Sequence, residues 1–237
     1  QTIMKKFFTL IAAVAMAASV NAQGTYAVAE NETPASGSKI TSVPNVTLTY
    51  GTDTYSKGKK TANWVVEDFG YYTVGTANGK LVSGAAPTGC VYTFETKNSG
   101  SLTVGVQLSP NKGLHVLNSK FEEVDLAGYN FPASADATES QVLTTNAKNE
   151  TIIPADGIKS NGTITINVAA GGTYYVLATG TKLGFFGFKF TTGTSGISNI
   201  NASEAANEGA TFNLMGQKVA SNAKGLVIKN GKKFINK

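Results

Sequence analysis

Apolar and polar side chains alternate along several short stretches of the chain, and this alternation is typical of half-buried β-strands. The apolar members of the clearest stretches are Val46, Leu48 and Tyr50; Cys90, Tyr92 and Phe94; Leu102, Val104, Val106 and Leu108; and Ile164, Ile166 and Val168. Clusters of turn-forming residues follow at 97–100, 110–113 and 169–172. After residue 22 we find no amphipathic helical pattern. The chain is therefore predicted to be all-β, with short antiparallel strands arranged as a sandwich or a barrel.

The most aromatic stretch of the chain, TYYVLATGTKLGFFGFKF at 173–190, carries six rings. A turn is predicted at Gly180, because glycine adopts positive φ without a steric penalty. On the strand after the turn, strict alternation places Phe186, Phe188 and Phe190 on one face. Phenylalanine lacks the polar group through which tyrosine and tryptophan usually bind sugars. These rings are therefore predicted to form a wall of the core.

The first residues of the chain have the organisation of a secretory signal peptide. Three residues precede Met4, the predicted initiator, and Lys5 and Lys6 supply the positive charge. An apolar run follows at 7–20, and cleavage is predicted after Ala22. The alternative, a membrane anchor, would need a spanning run of roughly 20 apolar residues. The segment is therefore predicted to direct export to the periplasm, with no transmembrane segment left after cleavage.

All 20 cationic side chains are lysines, and the formal net charge of the 237-residue chain is +5. Arginine, whose planar guanidinium binds phosphate and sulfate in a bidentate manner, is absent from the sequence. This composition argues against a nucleic-acid partner and against heavily sulfated glycans. The single cysteine, Cys90, excludes an internal disulfide, so the stability of the domain must come from its apolar core.

Shifts in composition divide the sequence into five parts. They are 1–22, the upstream residues and signal peptide; 23–44, a leader segment; 45–191, the β-sandwich; 192–207, a linker rich in small polar residues; and 208–237, a C-terminal module. The module contains two predicted hairpins, around Met215-Gly216 and around Asn230-Gly231. About thirty residues bury too little apolar surface to fold firmly alone, so the module is expected to dock on the sandwich or on a receptor.

The C-terminal module resembles the sorting domains of the type IX secretion system. The resemblance lies in FNLMGQKV at 212–219, KGLVI at 224–228 and NGKK at 230–233. Phe212 stands where the family usually has tyrosine, and Val227 stands where it has a second aromatic residue. The resemblance implies export across the outer membrane with the secretion machinery as partner, followed by release or attachment at the cell surface.

The predicted sandwich resembles non-catalytic modules of secreted bacterial polysaccharide lyases and glycoside hydrolases. The matching segments are YTF at 92–94, SGSLTV at 99–104, Asn111-Lys112, GTYYV at 172–176 and GTKLGFFGF at 180–188. Such modules are similar to jelly-roll carbohydrate-binding domains. The resemblance implies a jelly-roll β-sandwich of the carbohydrate-binding-module type.

One polar and aromatic segment supplies the candidates for ligand binding: Trp64, Glu67, Asp68, Tyr71 and Tyr72. Sugar rings have apolar C–H faces on which tryptophan and tyrosine stack, while carboxylates accept hydrogen bonds from the hydroxyl groups. The segment therefore predicts a site for a neutral polysaccharide. The alternative is that the tryptophan, the only one in the chain, is a core residue.

Residue types that carry nucleophilic catalysis are scarce. A triad would need His115, the only histidine, whose place in a strand-like segment favours a structural role. Cys90 shares a face with Tyr92 and Phe94, which predicts a buried thiol rather than a nucleophile. The usual zinc ligand sets cannot be assembled from one histidine and one cysteine.

Carboxylates are the remaining route to acid–base catalysis. The candidates are Glu67 and Asp68, and Glu122, Glu123 and Asp125. We expect them to be solvated charges, because the sequence does not bring two of them to one cleft. No cofactor is predicted, and a structural Ca²⁺ held by oxygen ligands is compatible with the sequence.

These observations predict a secreted or surface-displayed, non-catalytic β-sandwich that binds a neutral polysaccharide. Two alternatives stay open. The first is a structural or adhesive surface protein with the same fold and no sugar site. The second is a small polysaccharide-active enzyme that uses a carboxylate pair.

Deletion of residues 208–237 tests the sorting role of the C-terminal module. We expect the truncated protein to stay in the periplasm with its sandwich folded, because the deleted part would carry the export signal. Cell fractionation measures the location, and thermal unfolding measures the fold. Unchanged delivery to the surface would contradict the sorting role, whereas loss of the thermal transition would make the module part of the core.

Overall fold

The computed structural model describes residues 23–61 and 69–193, together with the strand backbone at 211–212, 218–219, 225–229 and 232–236. The chain divides into two compact units, Gln1–Thr194 and Ser195–Lys237. No helix occurs in the described residues, which confirms the all-β prediction. Within the same ranges there is accordingly no helix able to cross a membrane.

The first unit contains sixteen of the strands in these ranges. They are β1 Gln23–Ala27, β2 Lys39–Ile40, β3 Val46–Tyr50, β4 Lys59–Lys60, β5 Tyr71–Val74, β6 Lys80–Val82, β7 Ala85–Thr88, β8 Val91–Thr96, β9 Gly100–Leu108, β10 Gly113–Leu117, β11 Gly128–Asn130, β12 Thr144–Thr145, β13 Thr151–Ile152, β14 Ser160–Val168, β15 Thr173–Thr179 and β16 Gly184–Thr192. The second unit contains β17 Thr211–Phe212, β18 Lys218–Val219, β19 Gly225–Lys229 and β20 Lys232–Asn236.

Two seven-stranded sheets form the body of the first unit. The first sheet has the order β11-β14-β9-β16-β5-β4, with β1 also paired to β16, and the second has the order β12-β13-β10-β15-β8-β3-β2. Each of these strand pairs is antiparallel. Buried residues of both sheets belong to one hydrophobic cluster, as in a β-sandwich. A separate hairpin, β6–β7, lies outside these sheets.

The inward residues are those that the alternation predicts. Leu102, Val104, Val106 and Leu108 of β9 are fully buried. They lie beside inward residues of β14, with Val104 paired to Ile164 and Leu102 paired to Ile166. Burial of each such side chain contributes about 1.5–3 kcal/mol relative to exposure. The apolar layer therefore replaces the disulfides that the chain does not have.

Tyrosines enter the same core with their hydroxyl groups satisfied. The ring of Tyr92 lies 4.4 Å from that of Phe185, and its hydroxyl donates to the Leu183 carbonyl at 3.0 Å. Tyr55 donates to the carbonyl of Val91 at 3.0 Å. Cys90 is fully buried beside them, as predicted, and this burial raises the pKa of its thiol. Such bonds let large polar aromatics fill a core without leaving an unpaired hydroxyl.

The predicted face of Phe186 was wrong, because β16 contains a bulge at this residue. Along β16, Phe185 pairs with Val106, and Gly187 pairs with the adjacent Gly105, so Phe186 is an extra residue. Phe185, Phe188 and Phe190 consequently face the core between the sheets, as their common hydrophobic cluster shows. Phe186 instead packs on the other side of the sheet in a separate cluster with Phe69.

Two paired glycines make room for this outer cluster. Gly187 has φ +142°, and a Cβ atom there would lie 2.2 Å from the carbonyl oxygen of Tyr26. At Gly105, a Cβ atom would lie 2.7 Å from the Phe69 ring. The missing side chains thus let β1 and Phe69 approach the centre of the first sheet.

The leader segment contributes to the sandwich on both sheets. β1 pairs with β16 from Gln23 to Ala27, and β2 pairs with β3. Val28 and Val43 are 2% exposed and belong to the main core. The two sheets of the first unit therefore include residues that precede the predicted boundary at residue 45.

The second unit is a four-stranded sheet in the order β18-β17-β19-β20. Both predicted hairpins pair as antiparallel strands, β17 with β18 and β19 with β20. β17 also pairs with β19, which joins the two hairpins into one sheet.

Substitution of Gly187 by alanine tests the bulge. We expect Gly187→Ala to lower the free energy of unfolding by about 3 kcal/mol or more, since it combines an unfavourable φ with a backbone clash. Gly84→Ala is the matched control, because Gly84 also has positive φ but has no atom near its absent Cβ. It should cost only about 1–2 kcal/mol. Equal losses in denaturant unfolding would contradict the close approach of β1.

Candidate functional site

Part of the predicted ligand site falls outside the described residues. Trp64, Glu67 and Asp68 lie there, and only Tyr71 and Tyr72 can be placed. Both belong to β5, where neighbouring side chains point to opposite faces. Tyr71 packs against the core between the sheets, and Tyr72 packs against the outer cluster. The two tyrosines therefore do not share one binding surface.

Both tyrosines are half-buried and contact other parts of the fold. The ring of Tyr72 lies 5.4 Å from that of Phe186, and the Nζ atom of Lys59 lies 5.2 Å from the Tyr72 ring centre. Tyr71 donates its hydroxyl to Glu30 at 3.2 Å. The Glu30 charge raises the pKa of Tyr71, because it disfavours a phenolate beside it. Their described contacts are thus contacts within the fold.

A polar pocket lies beside the second sheet, in a region that the sequence did not indicate. Its volume is about 400 Å³. The lining residues are Asn111, Lys112, Gly113, Asn146, Ala147, Lys148, Glu150, Thr179 and Gly180. We call it the Glu150 pocket after the only carboxylate in this lining.

The Glu150 pocket is built on one of two loops with the same pattern. NSKFE at 118–122 and NAKNE at 146–150 both follow the order Asn-x-Lys-x-Glu. In each, the side-chain oxygen of the asparagine accepts the backbone N–H groups of the lysine and the glutamate, and its amide donates to the glutamate side chain. The residue before the glutamate has φ near +60°: 64° at Phe121 and 61° at Asn149. The loop therefore fixes the position of its own glutamate.

The second of these loops brings Glu150 to the end of β15. The hydroxyl of Thr179 donates to Glu150 Oε1 at 2.7 Å, and Asn146 donates to Oε2 at 2.7 Å. Gly113, paired with Thr179, makes this contact possible. A Cβ atom at Gly113 would lie 2.4 Å from the Thr179 hydroxyl oxygen and 2.7 Å from the Glu150 carboxyl carbon.

His115 lies beneath the pocket, on β10, and is 3% exposed. Its Nδ1 atom is 2.5 Å from Oε1 of Glu123, and its Nε2 atom is 3.2 Å from the hydroxyl oxygen of Thr179. Nε2 is also 3.5 Å from Oε1 of Glu150. The buried imidazole thus stands between two carboxylates, with bonds at both ring nitrogens.

The hydrogen-bond network assigns the protons of this cluster. The single proton of the Thr179 hydroxyl is used in the shorter bond to Glu150, so His115 Nε2 must donate to the threonine oxygen. The other ring nitrogen, Nδ1, contacts Glu123, so both nitrogens of His115 are engaged within the fold.

The same bonds lower the pKa of Glu150. The Asn146 side chain is the largest cause and Thr179 the next, because both donate to the ionised form. Partial burial opposes them, and the nearby His115 and Lys148 lower the pKa further. Glu150 is therefore a fixed, ionised acceptor at neutral pH.

The order Thr179–His115–Glu123 has the outline of a nucleophile, base and orienting acid. The Thr179 hydroxyl, however, donates to Glu150 Oε1 at 2.7 Å, and the His115 Nε2 atom lies farther away, at 3.2 Å. The described ranges also contain no set of histidine, cysteine, aspartate and glutamate side chains arranged to hold a metal ion. What the pocket offers is hydrogen bonding and charge.

His115 lies in a strand, as predicted, and its neighbours Leu114 and Val116 are buried in the core. Sequence reasoning missed Glu150, Thr179 and the pocket lysines. The repeated Asn-x-Lys-x-Glu pattern was the available signal for Glu150. Nothing local to β15 connects Thr179 to that loop, because their residues meet only through the pairing of β10 with β15.

No protein-family model matches the chain, and no curated protein matches it either.

Substitution of Glu150 tests its role as an ionised acceptor. A lowered folded-state pKa means that the carboxylate stabilises the fold above its unfolded-state value of about 4.5 and loses this effect as the pH falls through the folded value. We expect Glu150→Gln to reduce the free energy of unfolding by about 1 kcal/mol at neutral pH, and the difference from wild type to shrink in acid. Thr179→Val should reduce this acid dependence by removing one donor. A pH-independent difference in denaturant titrations would contradict the assignment.

Proposed function

We propose that this protein is a secreted or surface-displayed, non-catalytic β-sandwich of the jelly-roll, carbohydrate-binding-module type, and that it binds a polysaccharide in the Glu150 pocket. The observation that carries the proposal is a pocket of about 400 Å³ on the outer side of the second sheet, lined largely by polar side chains. Clefts in which a few polar groups converge, carried by loops on a scaffold, are common places for ligand binding.

The chemistry of the pocket matches that of sugar hydroxyl groups, which both donate and accept. Oε1 of Glu150 accepts a hydrogen bond from Thr179 and Oε2 accepts one from Asn146, so each oxygen retains a second acceptor position for a ligand. Lys112, Lys148 and Asn111 supply donors around it. Because Asn146 and Thr179 already hold the carboxylate, little side-chain entropy remains to be lost on binding.

The non-catalytic part of this proposal rests on the direction of the Thr179 hydroxyl bond. A general base must accept a proton from the nucleophile, and the Thr179 hydroxyl donates to Glu150 rather than to His115. Glu150 is ionised and lacks a neighbouring acid in the pocket lining that could protonate a leaving group. This arrangement favours binding over hydrolysis.

Trp64, Glu67 and Asp68 lie outside the described residues and stay predicted ligand-binding residues on sequence grounds alone, apart from the Glu150 pocket. Tyr71 and Tyr72 contribute less to the proposed ligand binding, because they contact Glu30 and Phe186 within the fold. Delivery to the surface by the C-terminal module rests likewise on its resemblance to sorting domains.

Affinity electrophoresis of the purified full chain in gels containing neutral and acidic polysaccharides tests the proposed function. We expect at least one polymer to retard the wild-type protein, and Glu150→Ala to weaken the retardation about tenfold, as for the loss of a charged hydrogen bond of about 1.4 kcal/mol. Glu122→Ala is the matched control, since Glu122 holds the same place in the other loop and is absent from the pocket lining.

Equal weakening by the two substitutions would contradict binding in the pocket. Retardation by no polymer would instead favour the structural or adhesive alternative. Trp64→Ala in the same gels measures whether the predicted stacking residue contributes.

A further inference from the structure

The groups of the Glu150 pocket that remain available to a ligand are mainly cationic. Lys112 is half-buried and Lys148 is exposed, and both line the pocket. Within the described ranges, neither lysine forms an ion pair with a carboxylate. The carboxylate of Glu150, in contrast, is already bonded to Thr179 and Asn146. A ligand therefore meets two ammonium groups and one carboxylate whose oxygens each already accept a hydrogen bond from the protein.

The formal charges of the pocket lining do not balance. Lys112 and Lys148 carry two positive charges, and Glu150 is the only carboxylate in the lining. Two ammonium groups beside one carboxylate make the lining cationic. An anionic group of a ligand would complete its charge balance.

We propose that the Glu150 pocket binds the carboxylate of a uronate unit in an acidic polysaccharide, with Lys112 and Lys148 on the carboxylate and Glu150 on neighbouring hydroxyl groups. This inference rests on the proposed function and changes the ligand class that the sequence predicts, from a neutral polymer to an acidic one. The ammonium group of lysine is a compact point charge with three donors, so each of the two lysines is able to pair with a carboxylate oxygen of the ligand.

The test compares pairs of polymers in which the carboxyl groups are either ionised or converted to uncharged esters. The purified full chain is titrated with polygalacturonate, alginate and hyaluronan, each beside its esterified, uncharged form. We expect at least one acidic polymer to bind. Its ester should bind at least about tenfold more weakly, because esterification removes the negative charge that pairs with Lys112 and Lys148. Binding should also weaken as the salt concentration rises, since the lysines are near the surface.

Single lysine substitutions show whether the charge acts in the pocket. Lys112→Ala and Lys148→Ala should each weaken binding about two- to fivefold, and Lys148→Glu should weaken it further, whereas Lys148→Arg should retain it. Lys120→Ala is the matched control. In the loop at 118–122, Lys120 has the position that Lys148 has in the loop at 146–150, and Lys120 does not line the pocket. The net charge changes equally in Lys148→Ala and Lys120→Ala, so only a local effect separates them.

The outcomes separate this inference from the proposed function. Equal binding of acid and ester, or equal loss in Lys120→Ala and Lys148→Ala, overturns the uronate site and leaves polysaccharide binding in place. If only neutral polymers bind, the uronate site is likewise overturned and polysaccharide binding stands. If neither acidic nor neutral polymers bind, both proposals fail.

Discussion

The first sheet depends on one inserted residue in its most connected strand. β16 bonds to β9 along its length, to β5 through Gly184 and Phe185, and to β1 beyond the bulge. Without the extra residue, the inward side chains of the two halves of β16 would fall on opposite faces, since side chains alternate with a period of two. The bulge keeps Phe185, Phe188 and Phe190 in one core and gives Phe186 to the outer face. The close approach of β1 at Gly187 then stabilises the bulged conformation.

Local patterns in the sequence were sufficient where one face of a strand meets the core. β9 and β14 alternate without interruption, so their inward residues could be predicted from spacing alone. Turn chemistry likewise marked Gly180, which has φ +68°. The face of Phe186 could not be predicted in this way, because the bulge depends on contacts of Gly187 with Tyr26, a residue from the start of the chain.

The Glu150 pocket was beyond sequence reasoning for the same physical reason. Its lining comes from the turn before β10, from the loop before β13 and from the end of β15, which meet only in the folded sheet. The types of side chain are ordinary, and no local spacing marks them as a set. Tyr71 and Tyr72 of β5 show the opposite case, in which a local pattern predicted a binding site. In the structure, Tyr72 packs on the outer cluster and Tyr71 donates a hydrogen bond to Glu30.

The two Asn-x-Lys-x-Glu loops have the same backbone conformation and hydrogen bonds but different surroundings. In the first, the residue at positive φ is Phe121, whose ring lies 5.8 Å from that of Tyr175 and covers the apolar residues Leu117 and Leu177. In the second, the same position is Asn149, which is exposed. The second loop also faces Gly113, whose missing side chain admits the bond between Glu150 and Thr179. The first loop therefore closes over an apolar patch, while the second leaves a polar pocket with a fixed acceptor and a free lysine.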